Sequence, residues 1–318
     1  MSHIIKLTIL LATIFPVSAT ASNHPTIMVS IKPFYNLCAK VMHTAGKPQL
    51  LLQNNASPHD YHLKPSDLKL INKADLVIWG GPELEGFLQK PITNVEAEKN
   101  LNLATIAGLK LLPLRTSTNW EEHVHDHNHD HDHNHDHDHN HDHEHEHAIH
   151  DSHFWLDPDN ALVIVNTIAQ RLSELDPTHA KTYAHNATDF AREINAKQKI
   201  WRQQLNSVKH KPYIVFHDAY QYFDRYFALN GVGSISLNPE IPPSAQRIQQ
   251  IQQLLNQEQV ACIFSEPQFN NKIIETLTTG LKIHCGELDP LGQDADLGPN
   301  GYLILVDKLV LGLRACNN

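Results

Sequence analysis

Thirteen of the 25 histidines of this chain fall in one short tract, His123–His147. Every odd position in the tract is His, and the positions between are Asp, Asn, Glu or Val. Imidazole is a common ligand of zinc and other transition metals, and carboxylates add oxygen donors and negative charge. A purification tag would not account for the tract, because it lies inside the chain and is mixed with Asp. The tract is expected to bind metal at several weak, exchangeable sites.

The same composition predicts no packed structure. Alternating polar residues cannot build a core, so residues 119–150 are expected to form a disordered histidine-rich loop. A connection of this length within a folded chain is usually functional. The loop is therefore interpreted as a collector of metal, and the specific site is expected elsewhere.

Three further histidines and one aspartate stand at the ends of predicted strands: His59, His153, His217 and Asp289. Taken singly, each histidine also fits an ordinary capped or half-buried position. Taken together, three nitrogens and one carboxylate from separate strand ends suit tetrahedral Zn²⁺ in a single cleft. Next to His217, Asp218 is expected to orient the imidazole of its neighbour.

The elements that must position these residues are short apolar runs alternating with helical patterns. The runs that predict strands are Ile27–Ile31, Gln49–Leu52, Leu76–Trp79, Tyr213–Phe216, Gly233–Leu237, Ala261–Ser265 and Lys282–Leu288. The helical patterns are Phe34–Thr44, Pro65–Lys73, Ala245–Gln257, Lys272–Thr279 and Tyr302–Leu313. This alternation predicts an α/β fold of two lobes with mainly parallel sheets flanked by helices. Ligands of such sheets collect at the carboxyl ends of the strands.

Between the two halves, residues 177–209 form a long polar pattern with helical character. Asp176 is a plausible N-cap, and Pro177 suits the first helical position. A helix of some thirty residues would span roughly 45 Å and act as a stiff strut between lobes at 22–176 and 210–318. Wide domain closure is therefore not expected.

The first 21 residues are typical of a cleaved secretory signal. Lys6 supplies positive charge, Leu7–Phe15 is apolar, Pro16 breaks the run, and small residues precede a cleavage point near Ala21. No cysteine precedes Cys38, so no lipid-attachment cysteine is expected at that point. The sequence thus predicts a free protein in the periplasm.

The formal net charge of -10 is concentrated in one region. Eleven Asp and Glu residues and no Lys or Arg lie between Asn119 and Asp151, so the remainder carries a net charge of +1. A nucleic-acid partner would require a basic surface and is not expected. The four cysteines fit an oxidising compartment, and three pairings are possible.

The chain resembles the metal-receptor family of ABC transporters, in particular its ZnuA-type zinc branch. Motifs along nearly all of the mature portion carry the resemblance, in matching order and spacing: Ser57–Tyr61, Leu63–Asp67, Ala74–Val77, Gly81–Glu83, His153–Pro158, Phe216–Tyr220, Asn238–Glu240, Ser265–Phe269 and Leu288–Gly292. The resemblance implies two lobes joined by a long rigid helix, with the metal at their interface. It also implies Zn²⁺ as transported cargo and an inner-membrane permease as partner, with the receptor itself a monomer.

By this resemblance His59, His153 and His217 match the three histidine ligands, and Asp289 matches the acidic position of the C-terminal lobe. Some zinc receptors carry Glu just before the first ligand, but this chain has Pro58 there. The fourth ligand is therefore expected to be Asp289 or a water molecule.

The resemblance also implies a disulfide between Cys262 and Cys316, which match bridged positions in similar receptors. The other two cysteines, Cys38 and Cys285, are then expected to be small buried residues. Glu266 could touch the metal site, but a polar role at a strand end is favoured.

Other functions remain to be weighed against a zinc receptor. A zinc hydrolase would need an open coordination position, a general base and a substrate pocket, and no base motif accompanies the histidines. An anchored adhesin is disfavoured by the missing lipid-attachment cysteine. Manganese, iron or nickel as cargo is disfavoured by three nitrogen donors. The chain is therefore expected not to be an enzyme.

Overall fold

Two four-stranded parallel sheets lie at the centres of two lobes in the computed structural model of this protein. The structure describes residues 24–53, 56–120, 150–257 and 259–317. The predicted signal segment and the histidine tract lie outside these described residues.

The N-terminal sheet has the strand order β2-β1-β3-β4, with all pairs parallel. The elements of this lobe are β1 (Ile27–Val29), α1 (Lys32–Val41), β2 (Gln49–Leu50), α2 (Pro65–Lys73), β3 (Leu76–Trp79), α3 (Gln89–Ile92), β4 (Asn100–Asn102) and α4 (Pro158–Leu175). Every residue of β3 is buried, as expected for a central parallel strand that is covered on both faces. The strands β1 and β3 and the helix α2 follow the apolar and helical patterns of the sequence closely.

A long helix, α5 (Ala180–Leu205), leads to the C-terminal lobe. The sheet of that lobe has the order β6-β5-β7-β8 and is also parallel. Its elements are β5 (Tyr213–His217), α6 (Gln221–Phe227), β6 (Gly231–Ser236), α7 (Ala245–Asn256), β7 (Cys262–Ser265), α8 (Lys272–Thr278), β8 (His284–Glu287) and α9 (Gly301–Arg314). The predicted fold class is therefore confirmed.

The linker helix begins later than its sequence pattern indicates. Residues Pro177–His179 form a short 3-10 turn, and Asp176 ends α4 with non-helical backbone angles. The N-cap of α5 is His179 and not the predicted Asp176, whose carboxylate accepts hydrogen bonds from the side chains of His179 and Tyr183. With 26 residues, α5 is about 39 Å long at 1.5 Å per residue.

The long helix is fastened to both lobes. Lys40 of α1 lies 2.7 Å from Glu193 of α5. Trp201 and Lys197 of α5 both donate to Asp307 of α9, each at 2.7 Å. These contacts make α5 a fixed strut, which agrees with its predicted stiffness.

The lobes also touch each other directly. The indole of Trp155 donates to the carbonyl of Pro290 at 2.9 Å, and the hydroxyl of Tyr302 donates to the carbonyl of Trp155 at 2.8 Å. One cluster of buried apolar side chains runs from β1 through α4 and α5 to α9. Because packed interiors resist deformation, large hinge motion between the lobes is not expected.

A short segment before the histidine tract crosses from one lobe to the other. Thr118–Trp120 lies along the outer edge of β6, where Ser234 N donates to the Thr118 carbonyl and Trp120 N donates to the Val232 carbonyl. On the far side of the tract, His150 pairs with Pro113 in the N-terminal lobe. The described chain therefore leaves for the tract from one lobe and returns from it on the other.

The predicted disulfide between Cys262 and Cys316 is present, with Cα atoms 5.8 Å apart. It joins β7 to the turn after α9. Cys38 is buried as expected, whereas Cys285 is exposed, so the prediction that Cys285 is buried is wrong. Exposure alternates along β8, and Cys285 lies with Glu287 on its exposed face. Among the described residues, no helix is both long and apolar enough to cross a bilayer.

Candidate metal centre

Three imidazoles converge between the lobes. His59 lies in the loop that follows β2, His153 precedes the turn into α4, and His217 is the last residue of β5. Their ring centroids are 5.4 Å (His59–His153), 5.6 Å (His59–His217) and 5.2 Å (His153–His217) apart. One ligand atom from each lies within 4.8 Å of the other two. The structure thus brings together the three histidines that the sequence singles out.

His217 is oriented by a buried carboxylate from the neighbouring strand. Its Nδ1 lies 2.6 Å from Glu266 Oε1, and its backbone N–H donates to the same oxygen at 3.2 Å. Both side chains are almost fully buried. Burial lowers the pKa of His217, but the charge of Glu266 and its hydrogen bond outweigh burial, so the pKa is raised above its ordinary value.

His153 has a matching partner on its own loop. Its Nδ1 and its backbone N–H lie 2.8 and 3.0 Å from Asp151 Oδ1. Tyr222 holds this loop, because its hydroxyl donates to the Asp151 carbonyl and accepts from Leu112 N. The Asp151 carboxylate therefore fixes the His153 ring within a loop that is itself tied to α6.

The tautomers of these two rings follow from their partners. An ionised carboxylate only accepts, so each Nδ1 carries a hydrogen and a neutral ring keeps its lone pair on Nε2. The Nε2 atoms of His153 and His217 lie 3.3 Å apart. Two lone pairs at this distance repel unless a proton or a metal ion lies between them.

His59 completes the group from the loop after β2. Its backbone N–H donates to Ser57 Oγ at 3.2 Å, which shapes the turn around Pro58. Burial lowers the pKa of His59 well below its ordinary value, and the neighbouring His153 and His217 lower it further. His59 is therefore neutral near pH 7, the form that binds metal.

Asp289 lies outside this group of ligand atoms. Its carboxylate accepts hydrogen bonds from Gln268 Nε2 at 2.7 Å, from Leu291 N at 3.0 Å and from Gln293 N. In this arrangement Asp289 holds the loop that follows β8.

The interpretation of Asp218 as the residue that orients His217 is wrong. The Asp218 carboxylate pairs with Arg115 at 2.8 Å, and Glu266 occupies the position next to the ring. Glu266 follows β7, which is adjacent to β5 in the sheet and separated from it in sequence. The sequence favours a polar role for Glu266 at a strand end, and this prediction does not include its contact with His217. Asp151 is not singled out by the sequence reasoning, although its position two residues before a candidate ligand is a usable signal.

The space between the rings is small. The cavity has a volume of about 10 Å³, and its lining includes the apolar and aromatic groups of Pro58, Trp155 and Phe269. This is about the volume of one water-sized sphere. The cavity therefore has the size of a single ion.

The chain has two α/β lobes with parallel sheets, a long helix that leads from one lobe to the other, and a histidine-lined cavity of ionic size between them. These features define the class of metal-binding receptors. The family described as "Zinc-uptake complex component A periplasmic", ZnuA, matches residues 27–316. This chain belongs to that family.

Individual relatives agree with this assignment. The high-affinity zinc uptake system protein ZnuA of Brucella abortus (strain 2308) is 42% identical over 312 residues, covering 94% of this chain and 93% of the relative. A crystal structure of ZnuA has a TM-score of 0.71 at 23% identity, covering 92% of this chain and 100% of that one. The laminin-binding adhesin of Streptococcus agalactiae, in a mutant form, has a TM-score of 0.73 at 22% identity over 92% of this chain and 100% of that one. The two structures share the fold with this chain.

Proposed function

We propose that this protein captures Zn²⁺ in the periplasm and delivers it to the permease of an ABC importer. The observation that carries the proposal is the convergence of His59, His153 and His217 from both lobes on one cavity. Three imidazole nitrogens form a donor set that suits Zn²⁺ better than Mn²⁺, which prefers oxygen ligands. Membership in a family described as a zinc-uptake component supports the same cargo.

The carboxylates behind the rings support a metal site of high affinity. Glu266 and Asp151 each accept from an Nδ1, which directs both Nε2 lone pairs into the cavity. Such partners raise the basicity of the ligating nitrogen and fix the ring before metal arrives. Zn²⁺ would also relieve the repulsion between the two facing nitrogen atoms.

The fourth ligand is proposed to be a water molecule, with Asp289 as the alternative. Asp289 would have to exchange its bonds to Gln268 and to two backbone N–H groups before it could reach the metal. Water requires no such rearrangement, and zinc readily accepts it in the fourth position.

Hydrolysis by a bound zinc–water pair is the second function to consider, and the size of the cavity disfavours it. A substrate must approach the metal within a few ångströms, but the lined space is about 10 Å³. We therefore propose a receptor without catalytic activity. A panel of ester and phosphate substrates tests this, and zinc-dependent turnover lost in His217→Ala would contradict it.

Delivery requires that the protein reach its permease, so we propose that residues 1–21 are removed and that the mature chain is periplasmic. We also propose that the mature chain is a monomer and that its two domains are residues 22–176 and 210–318. Release is proposed to involve small movements of the loop around His153, because the core and α5 join the lobes firmly. Mass measurement of the periplasmic protein and light scattering of the purified chain test these statements.

The deciding experiment is elemental analysis of untagged protein purified from the periplasm. One zinc per chain should survive dialysis in the wild type and be absent from His59→Ala, His153→Ala and His217→Ala. Manganese in place of zinc would refute the assignment of Zn²⁺ as the cargo. Binding of the zinc-loaded chain to its permease in nanodiscs, compared with the metal-free chain, then tests delivery separately.

A further inference from the structure

A second group of potential metal ligands lies outside the cleft, formed by His24, Asp176 and His179. One ligand atom from each lies within 4.8 Å of the other two. The rings of His24 and His179 have centroids 4.9 Å apart, and Asp176 Oδ2 lies 2.7 Å from His179 Nδ1. Neither the sequence motifs nor the transport function accounts for this group.

The three side chains come from separate segments that the fold holds together. His24 precedes β1 and packs beside Gly46, where a Cβ would lie 3.9 Å from the His24 ring. Asp176 and His179 lie in the junction between α4 and α5. Asn186 fixes that junction against the end of α1, because its amide donates to the carbonyls of Val41 and His43. The cluster therefore rests on packed structure rather than on chance contact of mobile side chains.

The charges and the exposure of the group suit a divalent cation. The Asp176 carboxylate accepts hydrogen bonds from His179 and Tyr183, which hold it beside the two imidazoles. The side chains of His179 and Asp176 are 26% and 12% exposed, and His24 is exposed. Two imidazoles and one carboxylate are the ligands of many zinc sites, and solvent can supply the fourth.

The group is distant from the cleft. α4 starts beside the loop of His153, and its 18 residues span about 27 Å before Asp176. An ion at this group could not be shared with the cavity between the lobes.

We propose that His24, Asp176 and His179 form a second Zn²⁺ site at the far end of the N-terminal lobe, distinct from the cargo site. Because it is more exposed than the cleft, it fills after the cleft. Bound zinc ties the segment that leads into β1 to the start of the linker helix.

The test is carbethoxylation of histidines with diethyl pyrocarbonate, resolved residue by residue by mass spectrometry, during a zinc titration of the mature full-length chain. His24 and His179 should become protected together, after the first equivalent of zinc has bound. Exposed His43 serves as the internal control and should stay reactive.

Two variants test whether these side chains bind zinc together and independently of the cleft. In His179→Ala, the zinc concentration that protects His24 should rise at least about tenfold, the lower end of the loss seen when a metal-site partner is removed. In His217→Ala, protection of His24 and His179 should persist, which separates this site from the cleft. Protection of His24 that is unchanged in His179→Ala, or lost in His217→Ala, would overturn the proposal. A zinc-edge anomalous map without a peak at the three side chains would do the same.

Discussion

Replacing Glu266 by Gln tests whether the carboxylate behind His217 contributes to zinc affinity. The amide has the same shape and can still accept from Nδ1, so the ring should keep its orientation. The negative charge is lost from a side chain that is 1% exposed and 2.6 Å from the imidazole. Removing such a partner costs 10–100-fold in metal affinity, or about 1.4–2.7 kcal/mol.

The assay is competition for zinc with a fluorescent chelator at pH 7.5. In the protein used, a flexible Gly/Ser linker should replace residues 121–149, so that histidines of the tract do not contribute. The linker lets Trp120 stay paired with β6 and His150 stay paired with Pro113 on the other lobe. Glu275→Gln, an exposed carboxylate on α8, is the matched control and should bind as the wild type does.

The same variant has a second expected effect. Without the Glu266 charge, the pKa of His217 should fall, because that charge opposes the effect of burial. Imidazole shifts in NMR spectra of the metal-free protein would report it. An unchanged zinc affinity together with a lowered His217 pKa would refute the inference that the carboxylate strengthens the ligand.

Four further predictions concern the cleft, the tract and the core. His217→Ala should abolish tight zinc binding while the circular dichroism spectrum is kept, and Asp289→Ala should weaken binding less; equal losses would make Asp289 a ligand. Deleting residues 121–149 should leave one tight site in a calorimetric titration and remove several weak ones, and loss of the tight site would disprove a folded centre. Zinc affinity should fall as the pH drops below neutrality. The fall should be about tenfold per pH unit as the raised pKa of His217 is crossed, and steeper once His59, whose pKa is lowered, also protonates. A zinc affinity that stays constant down to pH 5 would exclude histidine ligands. Burial raises the pKa of Glu85 to about 8 from an ordinary 4.5, so the contribution of Glu85 to stability is complete below about pH 4.5 and is lost as the pH rises through about 8. Between pH 6 and 8, Glu85→Gln should therefore lose less free energy of unfolding than the wild type, by on the order of 1–3 kcal/mol, as measured by urea denaturation. Equal losses would show that Glu85 is ionised.

Local patterns predict most of the elements, because each reflects the burial of a single segment. The apolar run Leu76–Trp79 and the helical pattern Pro65–Lys73 have the bounds predicted for them. The helix α4 is not predicted, although Asp157 at its N-cap and Pro158 at its first position form a usual helix start. The four-residue α3 and three-residue β4 are too short for a periodic pattern to indicate them.

Long-range contacts limit the prediction of the linker and of the cysteines. The pattern from Pro177 onward is continuous, yet residues Pro177–His179 form a 3-10 turn and the helix starts at Ala180. The side chains of His179 and Tyr183 both donate to Asp176 at this junction, and the helical pattern does not reveal these contacts. The exposure of Cys285 depends on which face of β8 is covered by other elements, and the residues of β8 alone do not reveal this.

By itself the sequence determined the fold class and the three histidines that meet between the lobes. His59 follows β2 and His217 ends β5, and parallel sheets bring the carboxyl ends of their strands to one edge. His153 follows no described strand, so the strand end predicted for it is wrong, and the resemblance of its motif is what singles it out. Only the tertiary structure decided which carboxylates stand behind those rings. Glu266 reaches His217 across 49 positions of sequence because β7 lies beside β5, whereas the adjacent Asp218 points to Arg115. Successive residues of an extended chain point in opposite directions, so a neighbour in sequence is seldom the partner of a side chain in space.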